Sequence, residues 1–429
     1  MNEYRKLELP RKTGHKKEEY KYFVGTTLKN PLEYEIGEKI VFKIRPKFMD
    51  NYIDVPYISF LLISDDGKKE EGYIKSSDDG WFYVETSLSV SGFVYLKAVA
   101  CDEHKNPIED IEVFNGSAGA DIKNICRCAE PPGDYSDFWQ GLKEKVNKTE
   151  PELLYCKKLE DVSLPDYEIY DMRVKAPDNE YASVIVTYPK GALKGSLKFA
   201  MLFQGYGVNS AVPNAVEGYF VVSVNAHCMP NCEAEEFYAN LRDNALKGYG
   251  FDKEENKRPE TTYWAKMLSR NMQAFRYFEN HELINKKDYI FIGSSQGGMQ
   301  AVNMAAHFDK ATGVVLNVPW MSDTHADSLS GRIPNSMPKG NGIFYFDISI
   351  SAGLIKCPVY IIAGLGDGTC NSSTEMALFN AIKSKKYIEF YQNKTHSFTI
   401  PWDNNVYTLG ETSMADEFKE FTIAYYDWN

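Results

Sequence analysis

From about residue 180 onward, the sequence alternates short apolar runs with longer segments of helical periodicity. ASVIVTYP, LKFAMLFQG, YFVVSVNA, DYIFIGSS and PVYIIAGLG are nearly continuous apolar runs, and helices are predicted around residues 262–281, from residue 296 to about 308, and after residue 413. Strands that are apolar on both faces and separated by helices are typical of a largely parallel sheet with helices on both sides. This part of the chain is therefore predicted to have an α/β fold with a mostly parallel sheet.

The preceding part of the chain has a different pattern of apolar residues. Between residues 20 and 120, short runs rich in Val, Ile, Tyr and Phe, such as KIVFKIRP, YISFLLIS and GFVYLKAVAC, alternate with turn residues. Asp66-Gly67, Asp79-Gly80 and Ser91-Gly92 separate the runs. Asp-Gly in this position indicates a hairpin, because both central residues can take a positive φ. We therefore predict a small antiparallel β-sandwich of immunoglobulin-like type.

A chain of 429 residues exceeds what one hydrophobic core usually supports. We predict four segments: a polar tail (1–19), the β-sandwich (20–125), a linker with a helix (126–150) and the α/β domain (151–429). The linker helix is expected to be capped by Ser136 or Asp137.

Charge, hydropathy and cysteine spacing argue against several functions. A net charge of −12 opposes binding to nucleic acid. No run approaches the roughly 20 apolar residues that span a bilayer, so we expect no membrane partner. The N-terminal residues lack the apolar segment of a secretory signal, so we expect a cytoplasmic chain, or a secreted one if a leader was removed. Cysteines in CRC (126–128) and HCMPNC (227–232) lack paired zinc-site spacing, and no metal or cofactor is predicted.

Two adjacent serines lie in GSSQG, between a predicted strand and a predicted helix. The frame Gly-x-Ser-x-Gly fits only Ser295, because Gly293 and Gly297 flank it. In this frame a sharp strand-to-helix turn projects the serine above the sheet, and the start of the helix favours an oxyanion. Ser295 is therefore the predicted nucleophile, and an ordinary glycine-rich loop is the alternative.

A serine nucleophile needs a base, and the base needs a group that orients it. In α/β-hydrolases the acid and then the histidine follow the serine, each after a later strand. His307 falls on the helix that follows the serine, and His325 comes too early for this order. His396, after the last strand-like run, is the predicted base, with a surface-loop histidine as the alternative. Asp367 is the predicted acid, and Asp323 is its competitor.

Two backbone N–H groups are needed to bind an oxyanion. The N–H of Gln296, directly after the serine, is the first predicted donor. Gly205-Tyr206-Gly207 follows an early strand of the domain, and this tight turn can aim the N–H of Tyr206. Its alternative is a turn with no further role.

From about residue 134 to its end, the chain resembles carbohydrate esterase family seven, the acetyl xylan esterases and cephalosporin C deacetylases. The matching stretches are DYSDFWQGL at the start of the domain, QGYG for the family's His-Gly-Tyr, GSSQGG for Gly-x-Ser-Gln-Gly-Gly, VPWMSD for Pro-Phe-Leu-Cys-Asp, GLGDGTCNSST for Gly-Leu-x-Asp-x-x-Cys-Pro-Pro-Ser-Thr, and KTHSF for Gly-His-Glu. The spacing Asp-x-x-Cys-x-x-Ser-Thr is the most specific of these, and it selects Asp367 over Asp323. The resemblance implies an α/β-hydrolase fold in which Ser295 is the nucleophile.

The same resemblance implies roles for four further residues. Asp367 and His396 would be the partners of the serine, and Tyr206 and Gln296 the backbone donors to the oxyanion. The implied activity is that of a serine esterase, which removes small acyl groups such as acetyl from sugar hydroxyls, for example on acetylated xylo-oligosaccharides, through an acyl-enzyme. The alternatives are a serine peptidase or acyl-thioester hydrolase of the same fold, or a non-catalytic carbohydrate-binding protein.

Two stretches depart from the family pattern. Asn225-Ala226-His227-Cys228 stands where the family has Arg-Gly-Gln-Gly, and Asn371-Ser372 replaces Pro-Pro. The first change lies near the carboxyl edge of the predicted sheet, where it affects pocket shape and substrate range. Compact family members look like ring-shaped hexamers that lack the sandwich, so a homo-oligomer is an open alternative for this chain.

Overall fold

The computed structural model of the chain describes residues 20–160, 163–333, 336–397 and 405–418. The predicted tail and the residues beyond 418 lie outside these ranges. The described strands are β1 (Lys21–Thr27), β2 (Ile40–Phe48), β3 (Asn51–Tyr52), β4 (Tyr57–Ser64), β5 (Lys69–Lys75), β6 (Phe82–Thr86), β7 (Gly92–Cys101), β8 (Phe114–Ala120), β9 (Leu153–Leu159), β10 (Tyr167–Lys175), β11 (Tyr181–Pro189), β12 (Leu197–Phe203), β13 (Tyr219–Val224), β14 (Ile284–Ser294), β15 (Gly313–Asn317), β16 (Val359–Gly364), β17 (Lys386–Tyr391) and β18 (Val406–Gly410).

The described α-helices are α1 (Tyr135–Asn147), α2 (Glu235–Asp243), α3 (Tyr263–Phe278), α4 (Gln296–His307), α5 (Ala326–Ser330), α6 (Ile348–Ser351), α7 (Ser372–Ala381) and α8 (Ser413–Glu417). None of the helices in the described ranges combines the length and the apolar character that crossing a bilayer requires.

Two small antiparallel sheets form the N-terminal part of the structure. In the first sheet β2 pairs with β1, β3 and β6, and the second has the order β5-β4-β7-β8. Alternate residues of β2, namely Ile40, Phe42 and Ile44, are fully buried, as expected for a strand with one face in a core. They share one hydrophobic cluster with residues of the second sheet such as Ile58 and Leu96. The two sheets are therefore the layers of a β-sandwich.

Only one of the two predicted Asp-Gly hairpin turns joins paired strands. Asp66-Gly67 connects β4 to β5, which pair with each other. Asp79-Gly80 instead leads from β5 to β6 in the other sheet, so the hairpin prediction at this position was wrong. Ser91-Gly92 leads back to β7 in the second sheet. In both Asp-Gly pairs only the glycine has a positive φ, 79° at Gly67 and 78° at Gly80. A turn motif reverses the direction of the chain. Which strand the following segment then pairs with depends on the packing of the two sheets.

A ten-stranded sheet forms the rest of the fold, in the order β18-β17-β16-β15-β14-β12-β13-β11-β10-β9. The strands from β17 to β13 in this order are parallel to one another. The flanking strands β18, β11, β10 and β9 pair antiparallel. The prediction of a mostly parallel sheet in an α/β fold is confirmed.

Both faces of the large sheet are buried. Phe199 and Met201 of β12 share a cluster with residues of α1, α3 and α4, whereas Ala200 and Leu202 belong to a cluster with Met414 of α8 on the opposite face. This explains why the central strands are apolar without alternation. The carboxyl ends of β12, β14, β16 and β17 consequently meet at one edge of the sheet, where the loops that follow them form the candidate site.

The linker helix begins earlier than the sequence indicates. Its N-cap residue is Asp134, so Ser136 and Asp137, the predicted caps, lie inside α1. The Asp134 carboxylate makes no capping hydrogen bond and instead accepts a hydrogen bond from the hydroxyl of Tyr345. The carboxylate at the N-cap position is therefore used for a long-range contact with Tyr345 and not for capping the helix.

Candidate active site

Ser295 occupies a strained turn between β14 and α4. Its φ and ψ are 53° and −120°, which is unusual for a residue other than glycine. The flanking glycines make this turn possible by their size. A Cβ atom on Gly293 would lie 2.0 Å from the carbonyl oxygen of Gly297, and one on Gly297 would lie 2.1 Å from the carbonyl oxygen of Phe203. The turn thus has the strand, the strain and the close packing of a nucleophile elbow.

Gly297→Ala is expected to lower the free energy of unfolding by about 2 kcal/mol or more, because its methyl group would overlap a backbone oxygen that cannot move freely. Chemical denaturation monitored by circular dichroism measures the change. Gly141→Ala is the matched control, since this glycine lies within α1 and, apart from its chain neighbours and the helix's own backbone, no heavy atom lies within 4 Å of the position that its Cβ would take. The control should gain about 0.5–1 kcal/mol from helix propensity. Equal stabilities for the two variants would contradict the packing argument.

The two adjacent serines have different partners. The hydroxyl oxygen of Ser294 accepts a hydrogen bond from the side-chain amide of Asn317 at 3.0 Å. The Oγ atom of Ser295 lies 2.9 Å from Nε2 of His396. Only Ser295 is therefore within hydrogen-bond distance of a potential base.

The structure brings Ser295, His396 and Asp367 together in one hydrogen-bonded row. Nδ1 of His396 lies 2.8 Å from Oδ2 of Asp367. The other carboxylate oxygen of Asp367 accepts the backbone N–H groups of Thr369 at 2.7 Å and Cys370 at 2.9 Å. Asp367 is buried, and the histidine side chain is one quarter exposed. A buried, hydrogen-bonded carboxylate beside a partly exposed imidazole is the arrangement that orients a general base.

The other two downstream histidines lie elsewhere. His307 stacks on Trp139 with ring centroids 3.7 Å apart and lies 3.2 Å from the hydroxyl of Tyr135. Burial lowers the pKa of His307 to about 3, so the ring is neutral near pH 7. His325 stacks on Phe344 with centroids 3.9 Å apart. Both imidazoles thus have structural partners away from Ser295.

The competitor acid, Asp323, is engaged in a different cluster. Its carboxylate accepts the N–H of Cys128 at 2.7 Å and pairs with the guanidinium of Arg332 at 2.7 Å. No hydrogen bond joins it to His396 among the described residues. The structure therefore brings Asp367, and not Asp323, to the histidine.

The turn after β12 is held against α4 by two glutamine side chains. The Gln296 amide donates to the carbonyl of Gly205 at 3.3 Å, and the Gln300 amide donates to the carbonyl of Gln204 at 2.9 Å. The Gly205 carbonyl and the Tyr206 N–H belong to one planar trans peptide and point in opposite directions. Fixing the carbonyl therefore fixes the direction of the N–H. Within the described residues this N–H has no protein acceptor.

The other predicted donor, the N–H of Gln296, comes from the start of α4. As the first residue of the helix, Gln296 has a backbone N–H with no acceptor inside the helix. Helix geometry and the adjacent positive end of the helix dipole make this group suited to an anion.

His227, in the stretch that departs from the family pattern, also holds this turn. Its Nε2 lies 2.8 Å from the carbonyl oxygen of Gly207, and its Nδ1 lies 2.6 Å from the hydroxyl of Tyr263. A carbonyl oxygen only accepts, so Nε2 carries the proton and Nδ1 accepts from the tyrosine. Burial, reinforced by the charge of Arg270, lowers the pKa of His227 to about 4. Sequence reasoning marked this stretch as different but assigned no contact to the histidine.

Tyr249 is a second residue that sequence reasoning missed. Its hydroxyl accepts the N–H of Gly207 at 3.1 Å and donates to Oε1 of Gln296 at 2.9 Å. Its ring stacks on that of Tyr206 with centroids 4.4 Å apart. The only local feature of the sequence that marks Tyr249 is its position between two glycines in GYGF. That pattern is also common in loops that belong to no functional site.

The acid stability of the protein is expected to depend on His227. Its pKa is about 4 in the folded state and about 6.5 when unfolded, so between these pH values the unfolded chain binds a proton that the folded chain does not. The contribution is fully present above pH 6.5 and is lost as pH falls toward 4, by about 3 kcal/mol. His227→Gln keeps an amide donor for Gly207 but cannot titrate, so it should lose less stability over this range. Denaturation at pH 7 and pH 4.5 tests this, and identical losses in the two proteins would contradict it.

Buried ionisable groups surround Asp367. Burial raises the pKa of Glu375 well above its ordinary value, with a further contribution from Asp367. Burial lowers the pKa of Lys394 to about 8, against the opposing effect of Asp367. Cys370 is also buried, and ligand atoms of Asp367, Cys370 and His396 lie within 4.8 Å of one another. Both imidazole nitrogens of His396 already lie within hydrogen-bond distance of Asp367 and Ser295, so a metal ion would have to displace one of these contacts.

Comparison with known proteins places most of this chain in one family. The family model for acetyl xylan esterase (AXE1) matches residues 120–327 and 340–409, which is more than half of the chain and includes Ser295, Asp367 and His396. One relative, the acetyl esterase Axe7A of Xylanibacter ruminicola, is 24% identical over 276 residues, covering 59% of this chain and 61% of the relative. The match thus spans about three fifths of that relative's length.

Solved structures show the same fold. The acetyl xylan esterase from Paenibacillus sp. R4 superposes with a TM-score of 0.55 and 17% identity, covering 70% of this chain and 97% of that one. For acetyl xylan esterase 1 from Thermoanaerobacterium sp. JW/SL YS485, the TM-score is 0.51, the identity 19%, and the coverage 72% and 98%. The predicted resemblance is confirmed by the family match: the chain belongs to the acetyl xylan esterase family.

Proposed function

We propose that this chain is a serine esterase that removes acetyl groups from sugar hydroxyls. The observation that carries the proposal is the row of contacts from Ser295 Oγ through His396 to Asp367, at 2.9 and 2.8 Å. All three residues lie within the segments that the family model matches. Acyl transfer from an ester is the reaction that such a row supports.

In the first step, Oγ of Ser295 attacks the ester carbonyl carbon while Nε2 of His396 takes the hydroxyl proton. Asp367 holds the imidazole through Nδ1 and stabilises the positive charge that develops on it. The oxyanion accepts hydrogen bonds from the N–H groups of Tyr206 and Gln296. When the tetrahedral intermediate collapses, His396 returns the proton to the leaving sugar oxygen, and the acetyl group stays on Ser295.

In the second step, water replaces the sugar. His396 takes a proton from the water as its oxygen attacks the acetyl carbonyl, and the same two N–H groups bind the new oxyanion. Collapse breaks the bond to Ser295, whose oxygen recovers the proton, and acetate leaves. No metal or cofactor is needed, because side chains and backbone groups supply every proton and hydrogen bond.

Two features support an acetylated sugar as the substrate. The family and its relatives are acetyl and acetyl xylan esterases by description. In addition, the rings of Tyr206 and Phe251 are 47% and 40% exposed, contact each other edge to face at 5.9 Å, and each contacts Trp320. The backbone N–H of Trp320 donates to the carbonyl oxygen of Ser295 at 3.0 Å, so this aromatic face adjoins the nucleophile turn. Exposed rings beside a few fixed polar groups are typical of a site for a partly apolar ligand such as a sugar ring.

The assignment of segments is part of the same proposal. Residues 151–429 would form the catalytic domain, because Ser295, Asp367, His396 and Tyr206 all lie there, and residues 20–125 would form the sandwich. The alternatives are a serine peptidase, which would cleave amides, an acyl-thioester hydrolase, which would cleave thioesters, and a non-catalytic carbohydrate-binding protein, which would cleave neither.

A panel of substrates tests the proposal. Acetate release is measured with acetylated xylo-oligosaccharides and p-nitrophenyl acetate, and cleavage is measured with peptide amides and acetyl-CoA at equal concentration. We expect the two acetyl esters to be hydrolysed at least about 100-fold faster than the amides, since an amide carbonyl is intrinsically less reactive than an ester carbonyl. Labelling by a fluorophosphonate probe is expected as well. Preferential cleavage of peptides or acetyl-CoA, or absence of both hydrolysis and labelling, would overturn the proposal.

A further inference from the structure

Strand β8 is the edge strand of the second small sheet. It pairs with β7 on one side, and at the end of its other side Ala120 forms an isolated bridge with Tyr34 and the Gly119 N–H donates to the carbonyl of Pro31 at 2.7 Å. An edge strand presents unpaired backbone N–H and C=O groups, which proteins cover or satisfy in some other way. Residues 115–117 on this second side lie against two loops of the large sheet, the one that follows β16 and the one that follows β17. These loops carry Asp367 and His396.

The histidine loop satisfies the open edge with side-chain amides. Oε1 of Gln392 accepts the N–H of Ser117 at 3.1 Å, and its Nε2 donates to the carbonyl of the same residue at 3.2 Å. The next residue, Asn393, accepts the N–H of Asn115 at 3.0 Å. Gln392 is 1% exposed, so these bonds are made away from water. The glutamine pairs with β8 much as a neighbouring strand would, four residues before His396.

The acid loop contacts the same strand. The hydroxyl of Ser117 donates to the carbonyl of Leu365 at 2.5 Å, and Gly366 packs so closely that a Cβ on it would lie 2.3 Å from the carbonyl oxygen of Asn115. The Gly366 N–H donates to the carbonyl of Lys394 at 2.9 Å, which ties the acid loop to the histidine loop. Asp367 is the next residue along the chain.

We propose that the N-terminal sandwich is a positioning element of the active centre, in which β8 holds the Asp367 and His396 loops at the separation that proton transfer requires. Ser117 is central, because its N–H, carbonyl and hydroxyl together bind both loops. The inference rests on the proposed function, since it assigns a role to the sandwich in that reaction. A displacement of about 1 Å in such a site can cost about 100-fold in rate.

The strand that binds the two loops lies almost entirely outside the segments that the family model matches. The match begins at residue 120, the last residue of β8. The part shared with the family therefore contains both loops but almost none of the strand that binds them. In this chain the positions of Asp367 and His396 depend on a layer outside the shared part.

Gln392→Met in the full chain tests the proposal. Methionine keeps the length and the burial of the side chain but removes both hydrogen bonds to Ser117. We expect kcat for p-nitrophenyl acetate to fall about 10- to 100-fold with KM within about twofold, and fluorophosphonate labelling to slow by a similar factor. Activity is measured well below the melting temperature of each protein.

Gln273→Met is the matched control. Gln273 is also a fully buried glutamine, whose amide donates to the carbonyl of Thr149 at 2.8 Å and whose oxygen accepts from Arg276 at 2.8 Å, but it lies on α3 away from both loops. This control should lose comparable stability and keep its kcat. A role of Gln392 in stability alone would make the two variants behave alike.

Each outcome of this experiment decides the inference. A wild-type kcat in folded Gln392→Met overturns it. If that variant does not fold, Ser117→Ala takes its place: a lower kcat at unchanged KM supports the inference, and an unchanged kcat overturns it. A wild-type protein that neither hydrolyses acetyl esters nor reacts with the probe would instead contradict the proposed function. An active wild-type protein with insensitive variants contradicts only the role of the sandwich.

Discussion

Ser295→Ala is expected to lower kcat for acetyl ester hydrolysis by about 10⁴- to 10⁶-fold, while KM changes little. The substitution removes only Oγ, the atom that lies 2.9 Å from Nε2 of His396 and that would carry the acyl group. Alanine has the same backbone constraints as serine, so the strained turn should survive. Circular dichroism and thermal melting check the fold, and hydrolysis of p-nitrophenyl acetate gives the rate.

Ser294→Ala provides the control for this experiment. It deletes a hydroxyl one residue away, whose partner is Asn317 and not His396. We expect this variant to keep kcat within about fivefold, because it removes no hydrogen bond to the reacting groups. Retention of the wild-type kcat by Ser295→Ala, or an equal loss of kcat in both variants, would contradict the assignment of Ser295 as the nucleophile.

Asp367→Asn is expected to lower kcat by about 10³- to 10⁴-fold in a folded protein. The backbone N–H groups of Thr369 and Cys370 both point at one oxygen of this side chain, so an asparagine must place its oxygen there. Its NH₂ group then faces Nδ1 of His396. Nδ1 then has to accept a hydrogen bond from this NH₂ group, so the single proton of the neutral imidazole is on Nε2. The imidazole then has no lone pair for the proton of Ser295.

Asp323→Asn separates this effect from the loss of a buried charge. Asp323 is also a buried aspartate that accepts a backbone N–H, and it pairs with Arg332. Its replacement should lower stability without a loss of kcat beyond about tenfold, measured on the folded fraction. A loss of several orders of magnitude in Asp323→Asn but not in Asp367→Asn would show that the acid is assigned to the wrong strand.

Local sequence was sufficient to select the three residues that the structure brings into one row, because each has a strong local or ordinal signal. Ser295 is the only serine flanked by glycines in the required frame after an apolar strand. Asp367 and His396 were reached by chain order, since the loops after parallel strands meet at one edge of the sheet. The structure brings these three residues into one row, although their chemical roles remain predictions.

The pairing of the small strands and the contacts of the Tyr206 turn could not be predicted from local sequence in this way. Asp79-Gly80 has the composition of a hairpin turn but leads from one sheet to the other. The side chains that hold the Tyr206 turn, among them His227 and Tyr249, come from loops that are distant in the chain. Their contacts depend on where the loops are placed, which no periodicity in the sequence records.

The sequence by itself determined the α/β architecture, the position of the strained serine and the order of its partners, because strand apolarity, glycine spacing and chain order are local or one-dimensional properties. Only the tertiary structure decided that β8 of the sandwich binds the Asp367 and His396 loops through Ser117, Gln392 and Leu365. The reason is physical. An unpaired strand edge can be satisfied by any suitable polar group that reaches it, so the choice of partner follows from the packing of the two layers and not from the residues of either one alone.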